Sequence, residues 1–326
     1  MKSIIHERPG VYSSYDASAV VWGGRAIRTI GVAAKSTGGT ANAPVTLTSC
    51  EAGISAFGED AKSAPGMAAM LRLLFLGGAS TVVAVRVEGE DYAAAFAALQ
   101  TVEDVQVIVC DSGDLAAHQA LRSSVEAASA ARRERIAVVG MDGADVSALT
   151  ERAKALNSER MVLVGPNVLD SGGQVLPGMF AAAAVAAALA VTRDPAVPLN
   201  GTSLAGLGGV VSPVRGITTR TSTGGAPDTT WRELTTILIV DDVIPSIRQS
   251  LRSRFSKTKN TGQTRGAIRS QVIVELESKL RSEIIDSYGD VTVSVYDEDP
   301  TVCLVEFSFA VAHGLNQIYL TAHITI

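Results

Sequence analysis

Aromatic residues are scarce in this 326-residue sequence, at 5%, which leaves little surface for stacking bases or planar ligands. Cysteine is scarcer still. Cys50, Cys110 and Cys303 stand far apart, are odd in number and form no CxxC. They read as buried thiols of a reducing compartment and not as a disulfide framework. The opening MKSIIHERPG has no apolar core ahead of His6, Glu7 and Arg8, so it is not expected to be a signal peptide. The one long uncharged stretch, VLPGMFAAAAVAAALAV at 175–191, is short for a membrane span, carries Pro177 and Gly178, and is mostly alanine. A buried helix starting near Pro177 is expected there.

Signatures of chemistry are missing as well. There is no GxxxxGK[ST] and no GxGxxG following a strand, and neither AKSTGGT (34–40) nor GLGGVV (206–211) has the spacing. The four histidines, His6, His118, His313 and His323, are dispersed, with no HxxxH and no cysteine partner nearby. His313 and His323 are expected in strands, packing across to neighbouring strands. No GxSxG elbow exists, and GTSLAG (201–206) does not supply one. The acidic pair Asp241–Asp242 is expected at a helix start, and Asp297–Glu298–Asp299 in a turn, where capping and turn formation explain them. No enzyme activity, cofactor or metal is expected.

Apolar residues make up 47% of the sequence and charged residues 19%, enough to bury sizeable cores. From about 28 to 192, β-branched runs alternate with helical patterns. Strands are expected over 28–34, 80–87, 104–110, 135–140 and 160–165, and helices over 64–76, 91–100, 114–131, 145–157 and 178–192. That alternation predicts an α/β domain with a mostly parallel sheet. Residues 193–230 shift to Pro, Gly, Ser and Thr and mark an irregular connection. Beyond it come an apolar run (235–240), a helix from Asp241, a helix over about 263–286, and strands at 290–297, 302–312 and 317–326. The expected organisation is α/β plus α+β: an arm at 1–20, an α/β domain at 21–195, a C-terminal α+β domain at 196–316, and a strand arm at 317–326.

Two features stand out. The closing QIYLTAHITI alternates strictly, with Ile318, Leu320, Ala322, Ile324 and Ile326 on one face, the pattern of a half-buried strand. From Arg248 to Arg269 there are seven basic residues and no acidic one; with −5 overall and +7 here, the rest of the chain carries a formal −12. In the helix expected from Asp241, Val243, Ile244, Ile247, Leu251 and Phe255 form an apolar stripe, and Arg248 and Arg252 line its edge. The strip reads either as a solvated face or as a docking strip for an acidic partner. The mildly acidic chain argues against nucleic acid.

Three segments together resemble the contractile tail sheath family: ERPGVYSSYD (7–16), MFAAAAVAAALAVTRDPAVPLNGTSLAGLGGV (179–210) and VYDEDPTVCLVEFSFAVAHGLNQIYLTAHITI (295–326). The resemblance implies a structural subunit forming six-fold rings stacked around a tail tube, without the outer decorating domain of larger members. It implies terminal arms that exchange strands with neighbouring subunits, through Ile4, Ile5, Pro9, Gly10, Val11, Tyr12, Ile318, Leu320, Ile324 and Ile326. It also implies a tube-facing C-terminal domain, with Arg248, Arg252, Arg254, Lys257 and Lys259 as tube-contact candidates. The implied partners are further copies of the chain, a tail tube protein, and baseplate and tail terminator proteins, with no nucleic acid and no membrane insertion. Contraction would drive the tube through a cell envelope. The implied location is a virion tail or a phage-tail-like particle assembled in the bacterial host cytoplasm. Family members are often labelled subtilisin-like in their α/β part, but no Asp/His/Ser signature appears here. The alternative readings are an α/β hydrolase-like enzyme and a non-contractile baseplate or virion component.

Overall fold

Both faces of the strand TIGVAA (β1, Thr29–Ala34) are buried almost throughout, which requires layers of structure on each side of the sheet it joins. The computed structural model describes residues 28–61, 64–143, 145–316 and Tyr319. Within them the chain runs β1, β2 (Val45–Leu47), α1 (Cys50–Phe57), α2 (Met67–Leu76), β3 (Val82–Arg86), α3 (Tyr92–Gln100), β4 (Val105–Cys110), α4 (Leu115–Ala130), β5 (Ile136–Gly140), α5 (Val146–Leu156) and β6 (Met161–Val164). The sheet order is β2-β3-β1-β4-β5-β6. Every pairing is parallel except that of β2 with β3. The expected parallel α/β sheet is present, with strand and helix limits close to those read from the pattern. Added to it are β2 and α1, where the sequence looked irregular; Ser49 caps α1 by accepting from Ala52 N–H.

Alternation along β1 divides two cores. Ile30, Val32 and Ala34 face one cluster, which holds α2 and the helix α6 (Gly178–Val191). Ala33 faces the other, with Tyr92, Phe96 and Leu99 of α3 and Leu121 and Val125 of α4. Helix α6 is the expected buried alanine helix, with every residue from Gly178 to Ala190 buried. Its small side chains allow close approach on two sides. A β-carbon on Gly140 would lie 2.2 Å from Gly178 O, and one on Gly77 would lie 2.4 Å from Ala187 Cβ. Two short ribbons, β7 (Val168–Leu169) with β8 (Val175–Leu176) and β9 (Ser222–Thr223) with β10 (Ala226–Pro227), flank this body. Leu199, Leu204 and Leu207, from the irregular connection, join the α6 core.

The C-terminal region departs from expectation at its first helix. Helix α7 spans Leu234–Phe255 and absorbs the apolar run at 235–240. Asp241 and Asp242 therefore sit inside a helix and not at its start. Leu234, Ile237 and Leu238 pack into the α6 core, whereas Ile239, Val243 and Ile247 pack into a separate cluster with Val272 and Leu276. One helix thus serves two cores. Helix α8 (Gly262–Arg281), capped by the Thr261 hydroxyl on Thr264 N–H, ends before the expected residue 286 because the chain turns into β11 (Ile285–Tyr288). The remaining strands are β12 (Thr292–Tyr296), β13 (Asp299–Glu306) and β14 (Phe309–Val311). The expected strand at 302–312 is two strands, broken after Glu306, and His313 lies beyond β14 in irregular chain. The strand expected at 317–326, apart from Tyr319, and the arm at 1–20 lie outside the described residues.

Candidate functional site

In a parallel sheet of this kind, ligands bind beyond the C-terminal ends of the strands where the strand order reverses. Here that place lies between β1 and its neighbours β3 and β4. The carboxylate of Asp111, just after β4, accepts from the Tyr92 hydroxyl at 2.6 Å and from Lys35 N–H at 2.8 Å. Burial raises its pKa, with the Tyr92 and Lys35 bonds opposing that rise. Burial likewise pushes the Cys110 thiol up to about 12, leaving it protonated and inert. Beside them, fully buried His118 accepts from Arg152 Nη1 at Nδ1 (3.0 Å), so its Nε2–H donates to Ser112 O (2.9 Å). Burial brings its pKa down to about 4, and Arg152 also donates to Gly113 O. These polar groups satisfy one another and hold the strand ends together. The hydrolase reading needed a cleft of convergent, available groups at this spot. No group of three or more metal-ligating side chains occurs among the described residues.

The surfaces that remain open are of another kind. The basic strip folds into a hairpin of two helices, the end of α7 and the start of α8. Arg252, Arg254, Lys257 and Lys259 are exposed around its tip, and no acidic residue lies between Arg248 and Arg269 to neutralise them. Basic groups at the end of α7 also suit the negative end of the helix dipole. Arg248, expected among the same group, reaches back to Glu134 Oε1 at 2.9 Å and ties α7 to the start of β5. Asn260 braces the tip by donating to Pro300 O and Val302 O of β13.

The second open surface is made of strand edges. β11 pairs with β14 and β12 with β13, each as a two-stranded antiparallel sheet. Each of these four strands has only one partner among the described residues. Val302 and Leu304 of β13 and Tyr296 of β12 are exposed apolar side chains on this ribbon. Edges of this type are where another strand adds. After β14 the chain passes the loop at 197–200: Gly314 packs against Pro198, and Asn200 Nδ2 donates to Asn316 Oδ1 at 2.6 Å. The expected arm residues Ile4, Ile5, Pro9, Gly10, Val11, Tyr12, Ile318, Leu320, Ile324 and Ile326 lie outside the described residues.

Sequence reasoning missed three ion pairs, two that join α7 to the α/β body and one that joins α7 to α8. Arg160 forks onto Asp241, Lys279 reaches Asp242 at 2.8 Å, and Arg248 reaches Glu134. The doublet Asp241–Asp242 was the available signal, but capping explained it too readily.

Comparison with known proteins places similar chains among tail sheath proteins. Residues 226–325 match the phage tail sheath C-terminal domain family. Over 251 residues the chain is 28% identical to the tail sheath protein of Bacillus phage SP01, covering 68% of this chain and 43% of that protein. The chain therefore spans less than half the length of the curated relative it matches. Its fold is shared with a chain of the contracted helical sheath of the anti-feeding prophage, at a TM-score of 0.66 and 17% identity, covering 98% of this chain and 99% of that one. A sheath tail protein from Listeria innocua superposes with a TM-score of 0.71 at 13% identity, covering 90% and 94% respectively. The chain is similar in sequence to a tail sheath protein and shares its fold with sheath proteins.

Proposed function

We propose that this chain is the repeating subunit of a contractile sheath that polymerises around a tail tube and shortens to drive that tube through a cell envelope. The observation that carries this reading is the pair of two-stranded sheets in the region matching the sheath domain, β11–β14 and β12–β13, each with edges left to accept strands. In a polymer such an edge is the linkage: main-chain hydrogen bonds supply affinity and alternating side chains set register. The arms at 1–20 and 317–326 are the strands that add, donated between neighbouring subunits. The α/β domain (21–195) forms the outer body and the C-terminal domain (196–316) faces the tube.

Tube contact falls to the exposed tip, Arg252, Arg254, Lys257 and Lys259, while Arg248 holds the tip's helix in place through Glu134. Exposed charge pairs contribute little each, which suits a sheath that must grip the tube and then release it. Contraction repacks subunits as rigid bodies, so the reaction breaks no covalent bond and uses no cofactor. Baseplate and tail terminator proteins bound the polymer at its ends, in a virion tail or a phage-tail-like particle assembled in the host cytoplasm.

Negative-stain microscopy of the purified chain tests the reading, with cylinders or stacked rings as the expected product. Deleting 317–326, or deleting 1–14, should abolish cylinders and leave a soluble monomer that melts cooperatively. A C-terminal truncation that still builds full-length cylinders would overturn the arm exchange. A sharp loss of thermal stability would instead assign the strand to its own subunit's sheet.

A further inference from the structure

Helix α7 changes sides at one point along its length. Leu238 is its last residue in the core built on α6, and from there Ile239, Val243 and Ile247 face the C-terminal cluster. Leu238, Asp241 and Pro245 fall on the opposite face, at helical spacing, and line a groove of about 560 Å³. The other side of that groove is the start of β4 and β5, at Val105, Val107 and Ile136. Beyond Leu238, the face of α7 turned toward the α/β body therefore borders a groove.

The helix is also weakened there. Pro245 has no N–H, so the helical bond from residue 245 to Asp241 O cannot form. The next residue, Ser246, turns its hydroxyl back on Asp242 O at 2.6 Å, a type of bond that bends helices. On either side of this step stands one ion pair to the body. Before it, Arg160 forks onto Asp241, and both side chains are largely buried, so breaking the fork strands a charge. After it, Arg248 Nη1 reaches Glu134, a lining residue of the groove, at 2.9 Å, and the Arg248 side chain keeps 35% of its exposure. A pair in that setting gives way at little cost. Two further ties run through irregular chain, where Gly314 packs against Pro198 and Asn200 donates to Asn316.

We propose that the Pro245–Ser246 step is a hinge on which the C-terminal domain swings against the α/β body. The Arg160–Asp241 fork is the fixed pin, and the Arg248–Glu134 pair is the strap that lets go. Release carries the outer half of α7, with α8 and the strands packed beside it, away from the start of β5 and widens the groove. The α6 core stays whole, because α7 leaves it at Leu238. The swing belongs to the free chain, and neighbours in a polymer fix one angle of it. Its failure is therefore separable from failure of the proposed function.

Double electron–electron resonance on the full-length chain tests the hinge. Cys50 and Cys303 are replaced by Ser, and Cys110 is buried. One spin label sits at Ser123→Cys on α4 and the other at Ser278→Cys on α8, both exposed positions. A control pair, Ser123→Cys with Thr150→Cys, lies within the α/β body. Singly labelled protein excludes distances between copies. The distribution across the hinge should be wider than that of the control and hold a second population. Arg248→Ala, or high salt acting on the parent, should raise that population several-fold. Pro245→Ala restores the helical donor and should narrow the distribution. The control pair should respond to none of these, and circular dichroism melts check that each variant is folded. Should Pro245→Ala fail to fold, the strap and salt arms still decide. A distribution across the hinge as narrow as the control would overturn the inference. So would one indifferent to Arg248→Ala and to salt, or one that Pro245→Ala leaves equally wide.

Discussion

Arg160 presents both terminal nitrogens to both carboxylate oxygens of Asp241, at 2.8 and 3.0 Å, across a sequence separation of 81 residues. The fork joins the start of β6 to the middle of α7, and each side chain keeps only 13% of its exposure. Arg160 Nη1 also donates to Arg135 O, and Arg135 in turn donates to Leu99 O at the end of α3. A chain of polar contacts therefore runs from the α/β layers into the helix that serves the second core.

Breaking this fork strands a charge that has little access to water. Arg160→Ala or Asp241→Ala should each cost about 3 kcal/mol of unfolding free energy, measured by urea denaturation. The Arg160→Met, Asp241→Leu double variant should recover much of that loss, because it leaves no unpaired charge behind. Equal losses in the single and double variants would mean that the pair does not act as a unit.

The contact between α6 and β5 admits no added atom. Gly140→Ala would set its β-carbon 2.2 Å from Gly178 O, and Gly178→Ala would set one 2.4 Å from Met141 O; both obstacles are backbone. Each should cost about 3 kcal/mol or more, the upper range of overpacking. Gly266→Ala in α8 meets nothing within 4 Å and should raise stability by about 1 kcal/mol through helix propensity. Thermal melts of the three variants check the contrast.

Acid should weaken the fold through His118. Its folded pKa of about 4 lies below its ordinary value of 6.5, chiefly because it is buried, with Arg152 adding to the shift and Asp114 opposing it. Between those two values the unfolded chain binds a proton that the folded chain refuses. Stability is therefore intact above about pH 6.5, and falls by about 3 kcal/mol as pH drops to 4. Asp111 works the other way: its raised pKa gives a contribution that is present in acid and lost as pH rises through the folded value. The difference between the parent and His118→Gln isolates the histidine. That difference should vary with pH only over the window from 6.5 down to 4.

Charge at the tip of α7 and α8 should govern docking and leave folding alone. Reversing Arg252 and Arg254 to Glu should change stability by no more than about 1 kcal/mol, the scale of a helix-dipole contribution. It should weaken sheath assembly on tubes most at low salt, where the parent contact is least screened. Arg248→Glu should behave differently, setting a carboxylate against Glu134 and lowering the melting temperature. Normal assembly with Arg252 and Arg254 both reversed would reduce the tip to a solvated face.

The parallel sheet was legible because its strands are buried on both faces and read as short β-branched runs between helices. VVAVR in β3 and IAVVG in β5 cannot be mistaken for amphipathic segments. Helix α7 was misread for a physical reason. Its first turns, LTTILIV, are β-branched and buried, so they lack the one-sided stripe of a surface helix, and Asp241–Asp242 looks like a cap after them. What makes two carboxylates tolerable inside that helix is Arg160 and Lys279, side chains 81 and 37 residues away. No local pattern carries that information. The basic strip could be read as a surface, but Arg248 could not be separated from its neighbours until Glu134 was seen beneath it.

Helix α7 serves both cores, and this bears on how the chain can be cut. The family match begins at residue 226, ahead of α7. A fragment starting there would take Leu234, Ile237 and Leu238 away from the sheet that covers them and carry them as a bare greasy flank. The piece left behind would keep a trough where those side chains had been. Evolutionary unit and foldable unit therefore do not coincide in this chain: neither half, expressed by itself, inherits a closed interior.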